Sequence, residues 1–249
     1  MTSDPILTND GSYTLRHPQL GETYHARDGA RGESLAKFIL PSGIAERLRL
    51  GPLRLLDIGF GLGLNARCAL ECAVATAAFP LTIDSLEWEP VALDRALLLS
   101  PDDPLCLDVK RSGRHCAGPH NVVLHLGDAR QVLQRLPGPW DLIFHDPFSP
   151  MKNTECWTQD FFALLRSKVS KNGALYTYSE SRVVRAGLLA AGWSVENTPA
   201  RPPQRGGTCA RPSQATPPGE ALPWRDPELR DTGTRIRQRR ELAIRQNVC

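Results

Sequence analysis

The chain has 249 residues, 41% of them hydrophobic and 23% charged, which excludes collagen, a coiled coil and a wholly disordered chain and suffices for one large domain or two small ones. No apolar run approaches the ~20 residues a membrane helix needs, and MTSDPILTND at the start has two acids, no base and no apolar stretch. Neither a secretory nor a transit signal is read there, so the expected location is the cytoplasm, with no membrane as partner. The net charge of +3 is uneven: residues 199 to 249 hold ten Arg against five acids, and Arg outnumbers Lys 25 to 5 overall. Arg suits phosphate, so nucleic acid is a candidate partner.

The first 30 residues, with short alternating runs in SYTLRHP and QLGETYHA, predict a hairpin or extended arm. A helix follows from about Glu33 to Leu40, stopped by Pro41. LRLLDIG, from Leu53 to Gly59, is a continuous apolar run closed by glycine, the pattern of a strand buried on both faces. Helices are then expected in LNARCALECAVATAA, VALDRALLL, ARQVLQRL, FFALLRSKV and SRVVRAGLLAA, alternating with strands in LTIDSLEW, NVVLHLG, DLIFHD, ALYTYS and finally WSVENT. This alternation implies βαβ units and a doubly wound, mostly parallel sheet in an α/β fold. Two segments break the rhythm. Residues 99 to 120 read as an inserted loop, and residues 199 to 234, rich in Pro, Arg and Gly, read as mostly irregular before a terminal helix RIRQRRELAIRQ. The expected organisation is an arm and helix over 1–50 within the same domain, a core over 51–198, and a basic extension over 199–249.

Seven cysteines without a CxxC read as reduced thiols. Cys106, His115, Cys116, His120 and His125 match no standard zinc spacing, and no metal is expected.

The chemistry concentrates at strand ends. DIGFGLGLN carries Asp57 followed by Gly59, Gly61 and Gly63 at a strand-to-helix turn, where the backbone can approach a ligand at the carboxyl edge of the sheet. Leu64 stands where the nicotinamide fingerprint has its third glycine. The GxGxG form behind an acid is the one used by S-adenosylmethionine-dependent methyltransferases of the Rossmann-like type. Glu87, ending the second strand, can accept from both ribose hydroxyls of a nucleoside, whereas Glu89 reads as the start of the next helix. Asp128, ending the third, can accept from an adenine amino group, cap the following helix, or do both. The fourth strand delivers HDPFSPMKN, and an acid followed by Pro and an aromatic, here Asp146 and Phe148, is the local chemistry of enzymes that methylate exocyclic amines.

These residues resemble the methyltransferase domain of the MnmC family, which makes 5-methylaminomethyl-2-thiouridine in tRNA. The resemblance runs through TNDGSYTL from Thr8, ETYHARDGARGE from Glu22, LDIGFGLGLN from Leu56, DPFSPMKNTECW from Asp146 to Trp157, YTYS from Tyr176 and LPWRDPELRDTG from Leu222. It implies a class I S-adenosylmethionine-dependent fold and methylation of the aminomethyl nitrogen of the wobble uridine, with S-adenosylmethionine as donor. It makes Asp146 the catalytic acid, and it makes the glycine turn, Glu87 and Asp128 cofactor contacts. Tyr24 and Glu33 would close from the arm, or serve as hairpin and helix-cap residues. Phe148, Lys152 and Trp157 are candidate substrate contacts, with Trp157 stacking on the base or packing under the loop. Arg237, Arg239 and Arg240 would face tRNA. Thr154 replaces a usual Pro, and RPPQRGGT, with Arg201 and Arg205, replaces a basic G-x-K-R cluster. No second glycine fingerprint is present for the flavin-dependent oxidase domain of bifunctional relatives, so the chain reads as a stand-alone form without FAD that receives its amine from upstream enzymes. The competing readings are an amine methyltransferase for another nucleic acid or small molecule, an aminopropyltransferase, and a non-catalytic RNA-binding module of the same fold.

Overall fold

Strand and helix segments of this sequence assemble into an eight-stranded sheet with helices on both faces. The computed structural model describes residues 4–76 and 79–213. A hairpin of β1 (Ile6–Leu7) and β2 (Tyr13–Thr14) opens the arm. The chain then turns helical through α1 (Ala30–Ser34), a π-helical stretch Leu35–Ile39, α2 (Leu40–Ser42) and α3 (Ile44–Leu48). Pro41 does not stop this run, contrary to expectation: it follows directly on the π-helical turn as the second residue of α2, and the break comes at Gly43, in the left-handed region at φ 61°.

The core continues with β3 (Leu53–Ile58), α4 (Leu64–Thr76), β4 (Leu81–Glu87), α5 (Ala92–Leu99), α6 (Pro104–Ser112), β5 (Arg114–Ala117) and β6 (His120–Leu126). It ends with α7 (Ala129–Arg135), β7 (Trp140–His145), a 3₁₀ turn Thr154–Trp157, α8 (Gln159–Lys168), β8 (Val169–Thr177), α9 (Arg182–Ala190), β9 (Trp193–Thr198) and β10 (Gly207–Pro212). The strand order is β5-β6-β4-β3-β7-β8-β10-β9. The pairs joining β6, β4, β3, β7 and β8 are all parallel. Side chains alternate across β3: Leu53 and Leu55 enter one apolar cluster, Leu56 and Ile58 the other. Each such burial contributes about 1.5–3 kcal/mol, so this strand is fixed in register from both faces.

Two expectations are corrected. Residues 99 to 120 are not a loop. Asp103 caps α6 by accepting from the Cys106 amide, Leu105, Cys106 and Val109 are buried, and Gly113 at φ 73° ends the helix before β5 pairs antiparallel with β6. Nor is the segment after 198 simply irregular. β10 inserts antiparallel between β8 and β9, so the sheet extends to Pro212. The remainder of the basic extension, including the segment expected to form a terminal helix, lies outside the described residues.

Strands β4 and β6 are added outward on one side of β3, and β7 and β8 on the other, so the order of strand addition reverses at the β3–β7 boundary. A crevice opens there at the carboxyl ends, the place where open α/β sheets bind ligands.

Candidate active site

Four strand tips meet at this crevice. Gly59 and Phe60 both donate backbone N–H to Leu86 O, at 3.0 and 2.9 Å, Gly127 donates to Glu87 O at 2.8 Å, and Asp146 donates to Ile58 O at 2.9 Å. The glycine turn is thereby stitched to β4 and to the loop after β7. At Gly59 (φ 90°) a Cβ would lie 2.6 Å from the backbone oxygen of Asp146, so only glycine permits this approach. Over the turn lies a cleft of about 1410 Å³.

Glu87 sits at its floor and accepts from Gly61 N–H at 2.8 Å through Oε2 and from Glu89 N–H at 2.9 Å through Oε1. Burial raises its pKa. Asp128 lines the cleft, caps α7 through the Arg130 amide and pairs with the Arg130 guanidinium at 2.5 Å. Gly59 and Gly61 line the cleft, whereas Asp57 and Gly63 do not. Asp57 is fully buried beneath the turn, accepts from the Ser85 hydroxyl at 3.0 Å and is pushed up to about 7 by burial. Gly63 packs against the Phe60 ring and Cys106. These two are supports of the turn rather than cleft-wall residues.

On the opposite wall Asp146 follows β7. Asn65, at the start of α4, donates Nδ2 to Asp146 Oδ2 at 2.7 Å. Burial raises the Asp146 pKa well above the ordinary carboxylate range, and the neighbouring charge of Glu33 adds to the effect. Glu33 lines the same cleft with its Oε2 tied to Ala26 N–H at 2.7 Å, and burial raises its pKa too. Lys37, one helical turn further on, is buried and donates to the backbone oxygens of Arg205 and Gly206. Tyr178 closes this wall, its hydroxyl donating to Pro147 O at 3.1 Å.

The arm forms the roof. Tyr24 lies over Gly61, meets Phe148 edge-on at 5.1 Å and accepts from Arg95 Nη1 at 2.7 Å. Arg95 also reaches Glu89 at 2.8 Å, and His17 meets Glu89 at 3.1 Å and the Phe148 ring at 5.2 Å. Hydrogen bonding from His17 and then from Arg95 lowers the Glu89 pKa. Glu22 accepts from Ser149 N–H at 3.1 Å and from the Ser149 hydroxyl at 2.5 Å, bracing the loop that carries Asp146. Glu89, read from sequence as a helix start, thus belongs to the roof's ion-pair network. His17, Glu22, Asn65 and Arg95 were not singled out by sequence reasoning. Glu22 and Asn65 fall inside motifs that carried the resemblance, and that is the only signal for them.

Of the two readings offered for Trp157, stacking on the base or packing under the loop, its geometry is that of packing. It is fully buried, its indole N–H donates to Phe148 O at 2.8 Å, and it meets His145 and Tyr178 edge-on at 4.5 and 5.6 Å. Phe148 and Lys152 do line the cleft. Arg237, Arg239 and Arg240 lie outside the described residues.

The cleft is acidic. Among the described residues, Glu22, Glu33, Glu87, Glu89, Asp128, Asp146 and Glu155 line it, against two permanently basic side chains, Arg130 and Lys152. Carboxylates concentrated in a partly desolvated cleft focus a negative potential that favours cationic ligands and disfavours phosphates. A nucleoside carrying a sulfonium and an ammonium group fits this lining, with Glu87 and Asp128 as acceptors and the glycine turn leaving room for close approach.

A family model described as an S-adenosyl-L-methionine-dependent methyltransferase matches residues 110–213. The solved structure of MnmC2 from Aquifex aeolicus superposes with a TM-score of 0.73 at 33% identity, over 88% of this chain and 73% of that one. The tRNA 5-methylaminomethyl-2-thiouridine biosynthesis bifunctional protein MnmC of Pseudomonas fluorescens is 30% identical over 86% of this chain and 36% of its own length. The protein of the same name from Chromohalobacter salexigens is 32% identical over 83% of this chain and 33% of its own. An uncharacterized protein of Methanocaldococcus jannaschii is 28% identical over 95% of this chain and 71% of its own. The chain spans about a third of the length of these two bifunctional proteins.

Proposed function

The chain belongs to the MnmC family of S-adenosyl-L-methionine-dependent methyltransferase domains, and we propose that it methylates the aminomethyl nitrogen of wobble 5-aminomethyl-2-thiouridine in tRNA. The observation that carries this reading is Asp146. Its carboxylate stands at the β7 tip, one oxygen held by Asn65, in a cleft whose charge suits an amine.

When bound, S-adenosylmethionine supplies an electrophilic methyl group on a sulfonium. Glu87, Asp128 and the backbone of Gly59 and Gly61 would hold it. The acceptor presents the harder problem. An amine with a Lys-like pKa of ~10.4 is neutral only about once in 2,500 at pH 7, a penalty of roughly 4.6 kcal/mol. Alignment can contribute up to ~7–11 kcal/mol, enough to outweigh it. Asp146 accepts an N–H of the amine, aims its lone pair and stabilises the positive charge that develops on nitrogen. Phe148, fixed by Trp157 beneath and by Tyr24 and His17 above, offers an apolar surface for a base next to that carboxylate.

The partners on this reading are tRNA and, in the cytoplasm, the upstream enzymes that install the aminomethyl group. The test is incubation with labelled S-adenosylmethionine and tRNA bearing 5-aminomethyl-2-thiouridine, followed by digestion to nucleosides. Label is expected on that nucleoside, and its absence despite demonstrated cofactor binding would overturn the proposal. Asp146→Asn should preserve cofactor affinity and abolish transfer.

A further inference from the structure

The Asp146 carboxylate is gripped at one oxygen only. Asn65 donates to Oδ2, and Oδ1 has no hydrogen-bond partner among the described residues. The grip is oriented from behind, because the Ser34 hydroxyl donates to Asn65 Oδ1 at 2.5 Å. Turning the amide over would set its oxygen against an ionised carboxylate, two acceptors with no proton between them, so the amide has one orientation that satisfies both neighbours. Ser34 and Asn65 are themselves buried, 1% and 4% exposed, which removes water as a substitute donor.

The position of Ser34 is set in turn by the arm. Helix α1 has no cap of its own at Gly29. Its free amides are satisfied from the TNDGS segment. Ser12 Oγ accepts from Ala30 and Arg31 at 3.1 and 3.3 Å, Asp10 Oδ2 accepts from Gly32 at 2.7 Å, and the Thr8 hydroxyl binds the other Asp10 oxygen at 2.8 Å. Glycine suits the junction, since Gly29 lies at φ 142°, where an L side chain is strained, and a Cβ there would crowd the Asp10 side chain at 2.7 Å. A continuous row therefore runs from the cap, through α1 and Ser34, to Asn65 and Asp146, joining four segments distant in sequence.

We propose that Asn65, oriented by Ser34, is a positioning residue for the amine: by holding Asp146 Oδ2 it presents Oδ1 as the single oxygen that receives the substrate N–H. This rests on the amine-methylation reading above. The same contact favours the ionised carboxylate, opposing burial and Glu33, because a donor bound to a carboxylate stabilises its charged form.

The test uses the full chain, S-adenosylmethionine and tRNA bearing 5-aminomethyl-2-thiouridine, comparing Asn65→Leu, Asn65→Asp and Ser34→Ala with the wild type. Asn65→Leu loses a hydrogen bond to a charged group, and kcat is expected to fall about ten- to hundredfold, with cofactor Kd within about threefold. The acid limb of the kcat–pH profile should move to higher pH. In Asn65→Asp it should move further, since two facing carboxylates must share a proton. Ser34→Ala keeps Asn65 but frees its amide; a smaller kcat loss with a limb shift in the same direction is expected even if the Asn65 variants fail to fold. An unchanged limb in Ser34→Ala, or kcat and Tm falling together with a raised cofactor Kd in Asn65→Leu and no limb shift, would overturn the proposal by making Asn65 a packing residue. No transfer by the wild type would instead overturn the amine reading itself, so the two failures are told apart.

Discussion

Gly59→Ala tests whether the glycine turn and the acid loop form one mechanical unit. An alanine at φ 90° leaves the regions L-residues prefer, at a cost of roughly 1–2 kcal/mol by analogy with the left-handed helix. Its Cβ would also sit 2.6 Å from the Asp146 oxygen, 3.0 Å from the Asp146 carbonyl carbon and 3.3 Å from Pro147 N, all backbone atoms that no rotamer change can move. Reaching van der Waals separation requires parting the two segments by roughly 0.5–1 Å, and overpacking of this kind costs about 1–3 kcal/mol. Gly118→Ala supplies the control, since that residue is also at positive φ (59°) with nothing within 4 Å of the added carbon. The difference between the variants isolates the clash: about 1–3 kcal/mol, or roughly 2–12 °C in Tm for a domain of this size. Because the displaced atoms belong to Asp146, a shift approaching 1 Å should also cost about a hundredfold in transfer, whereas Gly118→Ala should turn over normally. Equal melting temperatures and equal kcat in the two variants would refute the reasoning.

Two further outcomes follow from the same wall of the cleft. Trp157→Phe keeps the buried ring but strands the Phe148 carbonyl, so a loss of about 1–3 kcal/mol is expected by chemical denaturation. A raised KM for tRNA at unchanged stability would return Trp157 to a stacking role. Glu33→Gln removes a negative charge beside Asp146 while retaining an oxygen for the Ala26 amide. A like charge disfavours the ionised form, so its removal should lower the Asp146 pKa and move the acid limb of the kcat–pH profile to lower pH. Burial is the larger cause and persists in the variant, so the limb should stay above the ordinary carboxylate value of ~3.9. A limb that stays in place or rises would show that Glu33 is not felt at Asp146.

The parts of the site legible in the sequence are those written in one local pattern. The apolar run ending in DIGFGLG has the pattern of a buried strand feeding a glycine turn, and the βαβ rhythm sets the acids Glu87, Asp128 and Asp146 at later strand ends. What escaped has physical causes. Helix α6 mixes its three buried positions with acidic and basic residues and is bounded by Pro104 and Gly113, so its pattern imitates a loop. Strand β10 was hidden by its own requirements: Gly206 and Gly207 are needed because a Cβ would lie 2.4 Å from Thr198 O and 2.5 Å from Thr177 O where the chain enters between β8 and β9. The roof was illegible for another reason. Glu22 and Ser149 are 127 residues apart, and Arg95 joins Tyr24 to Glu89 from a helix that otherwise reads as packing. Such pairs leave no periodicity. Asp57 shows the converse, a motif residue whose position beside the turn suggested a ligand contact while strand alternation directed it into the interior.

Electrostatics separate the amine from the polymer that carries it. Seven carboxylates against two basic side chains make the cleft inhospitable to a phosphate chain, yet favourable to a cation on a base. On the proposed function, the modified base enters alone, its ammonium drawn toward Asp146 and Glu33, while the tRNA backbone stays at the rim. Phosphate attraction must then come from elsewhere on the chain. The +5 excess over residues 199 to 249 is the one large basic surplus in the sequence, and its clustered arginines, Arg237, Arg239 and Arg240, fall beyond the described residues. The division has a kinetic logic. On that reading a basic segment would raise the encounter rate for any nucleic acid, whereas selection would rest on whether a cationic side group reaches the acid-lined crevice. On the proposed function, specificity for the amine and affinity for tRNA would therefore be built from opposite charges, carboxylates in the cleft and arginines elsewhere in the sequence.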